Sequence, residues 1–474
     1  MNDELQREID AYIEAHWEEV IADINTLVRV DSIEDLDAAA DGAPYGPEPR
    51  EALDRALGIA ARMGLDSHDC GGHVGYADLP GESATQIGII GHVDVVPAGP
   101  GWHFPAHEVT RKDGYLIGRG VLDDKGPLMV ALHAVKFWKD RGATLPYTVR
   151  VLFGANEETN MKDVAYYREH FEDPAFLFTP DSQFPVGYGE AGICSGTLKS
   201  GVFYGASIIE FEGGQAVNAV PAQASAIVRQ GAYPFDDDDY DCISVEEYRG
   251  DIAKIEATGK SAHAAEPELG VNAIGLLVDY LLENEAGSAA ERAFLELLQK
   301  LHGSTDGSGL GIACSDEHFG SLTAVGGKAY IEKVSMNQCR ICQTIDFRYP
   351  TTITSAEIEH RVNDLAVEAG ATFTMEHDKT PFLMDPESPA VQVLLDAYNE
   401  VTGENRGGMT SKGGTYARMF TTGVSFGVEK PWEDDPDWVG TMHGPDEGVS
   451  EELLKQAFSI YARALGKLMN VELR

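Results

Sequence analysis

Apolar residues recur at helical spacing from about residue 5 to 28, at Ile9, Ile13, Trp17, Ile21, Ile24 and Val28. That period predicts an amphipathic opening helix. Short apolar runs follow at Gln86–Ile90, Tyr147–Gly154 and Ala175–Phe178, and a late one at Gly423–Val428. Such runs read as strands buried on both faces. Between the first two lies a helical stretch from about Pro127 to Arg141, with proline in its first turn, where its missing N–H costs nothing. Strands alternating with helices predict a mostly parallel sheet covered by helices. After about residue 186 the pattern changes to hairpin-like alternation, with helices at about 271–284 and 288–301. The strand–helix pattern returns near residue 385 and ends in a helix from about Glu451 to Met469. We therefore expect an α/β domain made of 1–185 and 385–474, interrupted by a large inserted α+β domain over 186–384.

A length of 474 residues fits two or three domains. Charge narrows the partners. With 78 acidic residues against 36 basic, the formal charge is −42. A nucleic acid or an anionic membrane is a polyanion and would be repelled. The opening MNDELQREID is too acidic and polar for a signal peptide, and no apolar run is long enough to span a bilayer. Six cysteines in this length make no disulfide framework, so the expected address is the cytoplasm. Cys339 and Cys342 have CxxC spacing, but MNQCRICQTIDFRYP reads as a strand, which turns positions three apart to opposite faces. The acidic run DDDDYD (236–241) places Tyr240 and Asp241 where a calcium loop needs a ligand and then glycine, so it reads as a solvated loop.

Candidate chemistry gathers where the strands end. Gln86–Ile90 runs into Gly91-His92-Val93-Asp94, and Tyr147–Gly154 into Asn156-Glu157-Glu158. Ala175–Phe178 is followed by Pro180-Asp181, and the late strand by Thr441-Met442-His443-Gly444. Asp123 stands just before the helix near Pro127. In an open α/β sheet, sites form beyond the carboxyl ends of the strands. A single His or Asp there is usually a cap, but four or five carboxylates packed together beside two imidazoles repel one another unless cations neutralise them. Mixed His and carboxylate ligands suit zinc, and also manganese or cobalt. If His92–Asp94 stays extended, both side chains point the same way and Asp94 can orient the imidazole.

Six segments, GHVDVVPAGPGW, GRGVLDDKGP, ANEETN, FTPDSQFP, ATGKSAHAAEPELGVNA and MHGPDE, together resemble the successive motifs of the dinuclear-zinc metallopeptidases. That family includes aminoacylases, carboxypeptidase G and carnosinase-type dipeptidases. FTPDSQFP, AVNAVP, GGTYAR and the large insertion are most similar to bacterial PepV-type dipeptidases. The resemblance implies a zinc-peptidase-like catalytic domain with an inserted lid, and a dipeptide as substrate. It implies that His92 and Asp181 hold one metal, Glu158 and His443 the other, and that Asp123 bridges them, with Asp124 a neighbour rather than a ligand. A metal-bridging hydroxide would attack the peptide bond, with Glu157 as general base and His263 stabilising the oxyanion. Asn218, Arg348 and the Gly413-Gly414-Thr415 turn are the candidates for the substrate's carboxylate, and Lys412 departs from the pattern. An insertion of this size implies a monomer, with His263 acting within its own chain.

Two further signals carry no chemistry. Gly423-Val-Ser425-Phe-Gly427 matches GxSxG, but a nucleophile elbow needs a strand-to-helix turn at the serine. His103 and His107 have helical zinc spacing, but Pro105 between them argues for a loop. The alternatives are an N-acyl amino acid deacylase with the same metals, or an inactive binding protein on the same fold. The second would be expected to lack a ligand or the base, and all are present.

Overall fold

The computed structural model describes residues 2–230, 235–236 and 240–473. Residues 237–239 of the acidic run lie outside these. The chain divides into two compact units. One comprises Met1–Gly189, Leu383–Met409 and Gly414–Arg474; the other comprises Glu190–Phe382 with Thr410–Gly413.

In the first unit, the strand Ser83–His92 lies at the centre of a sheet. It pairs in parallel with Tyr147–Gly154 on one side and Phe176–Thr179 on the other, and Gly423–Ser425 extends the parallel set. Side chains alternate between two apolar layers, as a strand's period of two requires. Ile87, Ile89, Val151, Phe153, Phe176 and Phe178 face one core, while Ile90, Leu152 and Leu177 face another with Tyr416 and Phe420. The first layer is closed by the helices Asn2–Val28, Lys125–Asp140 and Glu451–Leu468. The second is closed by Lys162–His170 and the short helix Tyr416–Met419. At about 1.5–3 kcal/mol per fully buried aliphatic or aromatic side chain, this burial favours the sheet strongly.

A helix and a strand pair near the start of the chain were not expected. The helix Pro47–Arg62 buries Ala52, Leu53, Ala56, Ile59 and Ala60. Three of these five are alanine, so the periodicity is faint. The antiparallel pair Asp66–Cys70 and Val74–Leu79 forms the sheet edge, where polar DSHDC is mostly exposed and carries no apolar run.

The inserted unit is built on an antiparallel sheet. Its strand order is Ile243–Arg249, Ile252–Thr258, Gln223–Arg229, Ile208–Gly213, Thr323–Ser335, Gln338–Tyr349, Gly192–Lys199, Thr372–Lys379. Helices Ala273–Glu283, Ala289–His302 and Ser355–Glu368 contribute to its core. The last two start at capping boxes, Ser288 with Glu291 and Thr354 with Glu357, in which side chain and backbone satisfy each other's donors. Cys339 is half-buried and Cys342 buried on one strand, and all six thiols are free.

His302 ends its helix in space left by glycines: a Cβ at Gly275 would lie 2.9 Å from the His302 Cβ, and one at Gly326 would meet the ring. Burial pushes its pKa from 6.5 down to about 4. Between those values the unfolded chain binds the proton more tightly than the folded one. Its contribution to stability is therefore complete above about pH 6.5 and is lost as pH falls towards 4. At about 1.4 kcal/mol per pH unit, the loss is about 3 kcal/mol. Denaturant unfolding of the inserted unit at pH 7.5 and 4.5 should show this fall, and His302→Gln should reduce the difference by that amount.

Candidate active site

The candidate ligands stand where three parallel strands stop. His92 is the last residue of its strand and is fully buried. Its Nδ1 lies 2.9 Å from the Asp94 carbonyl oxygen, which leaves Nε2 to point outward. Asp123 lies just before the helix Lys125–Asp140 and touches both imidazoles. Its Oδ1 is 2.8 Å from His92 Nε2, and its Oδ2 is 3.0 Å from His443 Nε2. Asp181 Oδ2 is 3.7 Å from His92 Nε2, and Glu158 Oε2 is 3.2 Å from His443 Nε2. Two ligand groups result, His92–Asp123–Asp181 and Asp123–Glu158–His443; within each, the donor atoms lie within 4.8 Å of one another. Asp123 belongs to both. Two imidazoles and three carboxylates are a donor set that fits a pair of divalent cations.

Electrostatics shows what the arrangement lacks by itself. Burial raises the pKa of Asp181 and Glu157 well above the carboxylate range, and neighbouring carboxylates push further the same way. Glu158 is raised by burial and by Asp123. Burial also disfavours charge on Asp123, but hydrogen bonds with His443 and His92 outweigh it and hold its pKa low. Those bonds to Asp123 and Glu158 raise His443 to about 11. Bound divalent cations would offset this mutual repulsion and favour the charged carboxylates.

Each ligand is placed by groups behind it. A Cβ at Gly91 would fall on Asp124 Oδ2, which instead accepts the His92 N–H at 3.2 Å. Asp124 is fully buried, its other oxygen has no partner, and burial raises its pKa well above the usual range. It stands beside the cluster and in neither ligand group. Asp94 lies against the His92 ring with both its carboxylate and its carbonyl oxygen. Its carboxylate is 3.5 Å from His92 Nδ1, farther than its own carbonyl. That carboxylate accepts the N–H groups of Glu157 and Glu158 at 3.2 and 3.1 Å. The ring nitrogen thus has the backbone oxygen as its nearer partner, and the carboxylate beside it also holds the neighbouring strand's loop.

Sequence reasoning did not single out Glu447 or Arg119. Glu447 Oε1 accepts the N–H groups of Gly120, Leu122 and Asp123 at 2.9, 3.0 and 3.2 Å. Its Oε2 pairs with Arg119, which also donates to the Gly444 carbonyl at 3.2 Å. This buried pair ties the Asp123 loop to the His443 loop. His443 itself has φ 61°, a left-handed conformation uncommon for a residue with a side chain. The signal for Glu447 was its place in MHGPDE, three residues beyond Gly444.

In the inserted unit, His263 and Asn218 are neighbours on a small two-stranded ribbon. Ala219 pairs with His263, and the Ala264 N–H reaches the Asn218 carbonyl at 2.9 Å. Arg348 is buried and makes an ion pair with Asp346, Nε to Oδ1 at 2.7 Å and Nη2 to Oδ2 at 3.2 Å, and donates to the Lys412 carbonyl at 3.0 Å. These bonds use three of the five guanidinium N–H groups. Gly413 closes onto Ser411 Oγ at 2.8 Å in this unit. Gly414 and Thr415 belong to the other unit, where Thr415 caps the helix Tyr416–Met419. Ser425 is buried within its strand, and His103 pairs with Asp446 in a loop.

A parallel sheet with two carboxylate–imidazole groups sharing one aspartate defines a hydrolase of the dinuclear-metal type. Residues 88–467 match the model of Peptidase family M20/M25/M40. The chain belongs to this family and is a metallopeptidase. It is 30% identical over 468 residues to Putative dipeptidase YtjP of Bacillus subtilis, covering 95% of this chain and 97% of that one. Among solved structures, the dipeptidase Dug1p of Saccharomyces cerevisiae superposes with a TM-score of 0.61 at 12% identity, covering 99% of this chain and 100% of that one. The Bacillus subtilis YXEP protein, described as a dinuclear metal-binding peptidase of the M20 family, gives 0.51 at 12% identity, covering 95% and 99%.

Proposed function

We propose that this peptidase is a dipeptidase using two divalent cations, zinc first among them, with one on His92 and Asp181 and the other on Glu158 and His443. Asp123 bridges them. The observation that carries this reading is the single carboxylate of Asp123 reaching both imidazoles, one oxygen to each. Bound cations would polarise the scissile carbonyl and make water a nucleophile near neutral pH.

The chain's own groups then divide the work. Glu157 belongs to neither ligand group, so its carboxylate takes the proton of the attacking water and passes it to the leaving nitrogen. The His263 Nδ1 accepts the Ala265 N–H at 3.2 Å. A neutral ring so bonded carries its proton on Nε2, where it donates to the oxyanion. Asn218, the remaining N–H groups of Arg348 and the Gly413–Thr415 turn receive the substrate's carboxylate. The dipeptidase name of the Bacillus subtilis relative, at this identity and coverage, supports the substrate class.

The test is a panel of dipeptides, a tripeptide and N-acetyl amino acids, given to protein stripped of metal and then supplied with zinc, manganese or cobalt. Metal-dependent cleavage of dipeptides is expected. Cleavage of acetylated compounds alone would make the protein a deacylase, and no cleavage with any metal would leave only a binding role.

A further inference from the structure

The loop that carries Glu157 and Glu158 is held in an unusual way. Four consecutive backbone N–H groups, from residues 155 to 158, are received by two buried carboxylates. Asp163 Oδ2 accepts Ala155 at 2.7 Å and Asn156 at 3.0 Å, and Asp94 accepts Glu157 and Glu158. The Tyr416 hydroxyl donates to the same Asp163 oxygen, and both residues are fully buried. The strand leading into the loop ends in Gly154. A Cβ there would fall on the Tyr416 hydroxyl and lie 2.7 Å from Asp163 Oδ2. Neither Asp163 nor Tyr416 belongs to a ligand group.

We propose that Asp163, locked by Tyr416 in the space left by Gly154, is a positioning residue that aims Glu157 at the reacting water. The inference rests on the proposed function. Adjacent residues with opposite tasks need a fixed backbone: Glu158 faces a metal and Glu157 must not. Asp163 takes the N–H groups of the 154–155 and 155–156 peptide planes that lead up to Glu157, and Asp94 takes those of the planes on either side of Glu157. Charge-assisted bonds of this kind are the stronger class. A slip of about 1 Å at a reacting group costs about 10²-fold in rate.

The test compares Asp163→Ala, Asp163→Asn and Tyr416→Phe with the unaltered metal-loaded enzyme. Asp163→Ala should lose about 10²-fold in kcat, with KM little changed and metal content equal to the parent's. Asp163→Asn keeps an oxygen acceptor and should recover most of that loss. Hydrogen exchange at the amides of 155–158 needs no substrate, and it should speed up in Asp163→Ala and, at Ala155 and Asn156, in Tyr416→Phe. If Asp163→Ala does not fold, Tyr416→Phe decides by the same exchange and by a fall in kcat of about tenfold. Unchanged exchange, loss of metal, or a rise in KM in place of the fall in kcat would overturn the proposal. A parent enzyme inactive on every dipeptide would refute the proposed function instead, and the exchange result would still decide whether Asp163 clamps the loop.

Discussion

Glu157→Ala should cut kcat by about 10²- to 10⁴-fold, the range of general acid–base catalysis, with metal content unchanged. The two halves of that result have separate causes. Glu157 lies in neither ligand group, so removing its carboxylate leaves five ligand side chains in place. Its pKa is raised first by burial and then by Asp181, as suits a group that takes and returns a proton. Glu157→Gln keeps the shape and removes the basicity, so it should lose as much as the alanine variant. Activity near normal in either would assign the base elsewhere, and loss of metal would make Glu157 a ligand.

Asp123→Ala should remove both metals together. Its two oxygens meet His92 Nε2 at 2.8 Å and His443 Nε2 at 3.0 Å, so neither ligand group survives its loss. What remains is an imidazole with a single carboxylate on each side, too few ligands to hold a cation tightly. Metal catalysis supplies several kcal/mol of transition-state stabilisation, so kcat/KM should fall by about 10³-fold or more. Metal analysis should find less than one ion per chain. A variant that kept two would show that Asp123 does not bridge.

Much of the site could be read from the chain because a parallel sheet converts sequence order into place. His92, Glu157 and Asp181 each follow a short apolar run, and the ends of such runs meet at one rim. Asp123, just before its helix, and His443, beyond the late strand, were read onto the same rim, and their segments also match family motifs. The supporting carboxylates were not recognisable. Asp163 and Glu447 act through backbone N–H groups, and a residue's sequence position carries no sign that its side chain will bond a peptide group elsewhere. The glycines were the available clue. Gly91 and Gly154 each leave room for a buried carboxylate oxygen, and an apolar strand interrupted by glycine points to a close approach. Asp94 was assigned to the imidazole because two extended residues share a face; its carboxylate lies 3.5 Å from His92 Nδ1 and also accepts the 157–158 amides, which the sequence did not suggest. The Arg348 partner, Asp346, lies two residues away on the same strand and pairs with the guanidinium that the sequence offered as a substrate cation.

Anomalous diffraction from crystals of the zinc-loaded protein, recorded on both sides of the zinc absorption edge, would locate the cations directly. Two peaks are expected, one contacting His92 and Asp181 and the other Glu158 and His443, with one Asp123 oxygen on each. A single peak, or two peaks with Asp123 on neither, would contradict the shared-aspartate site.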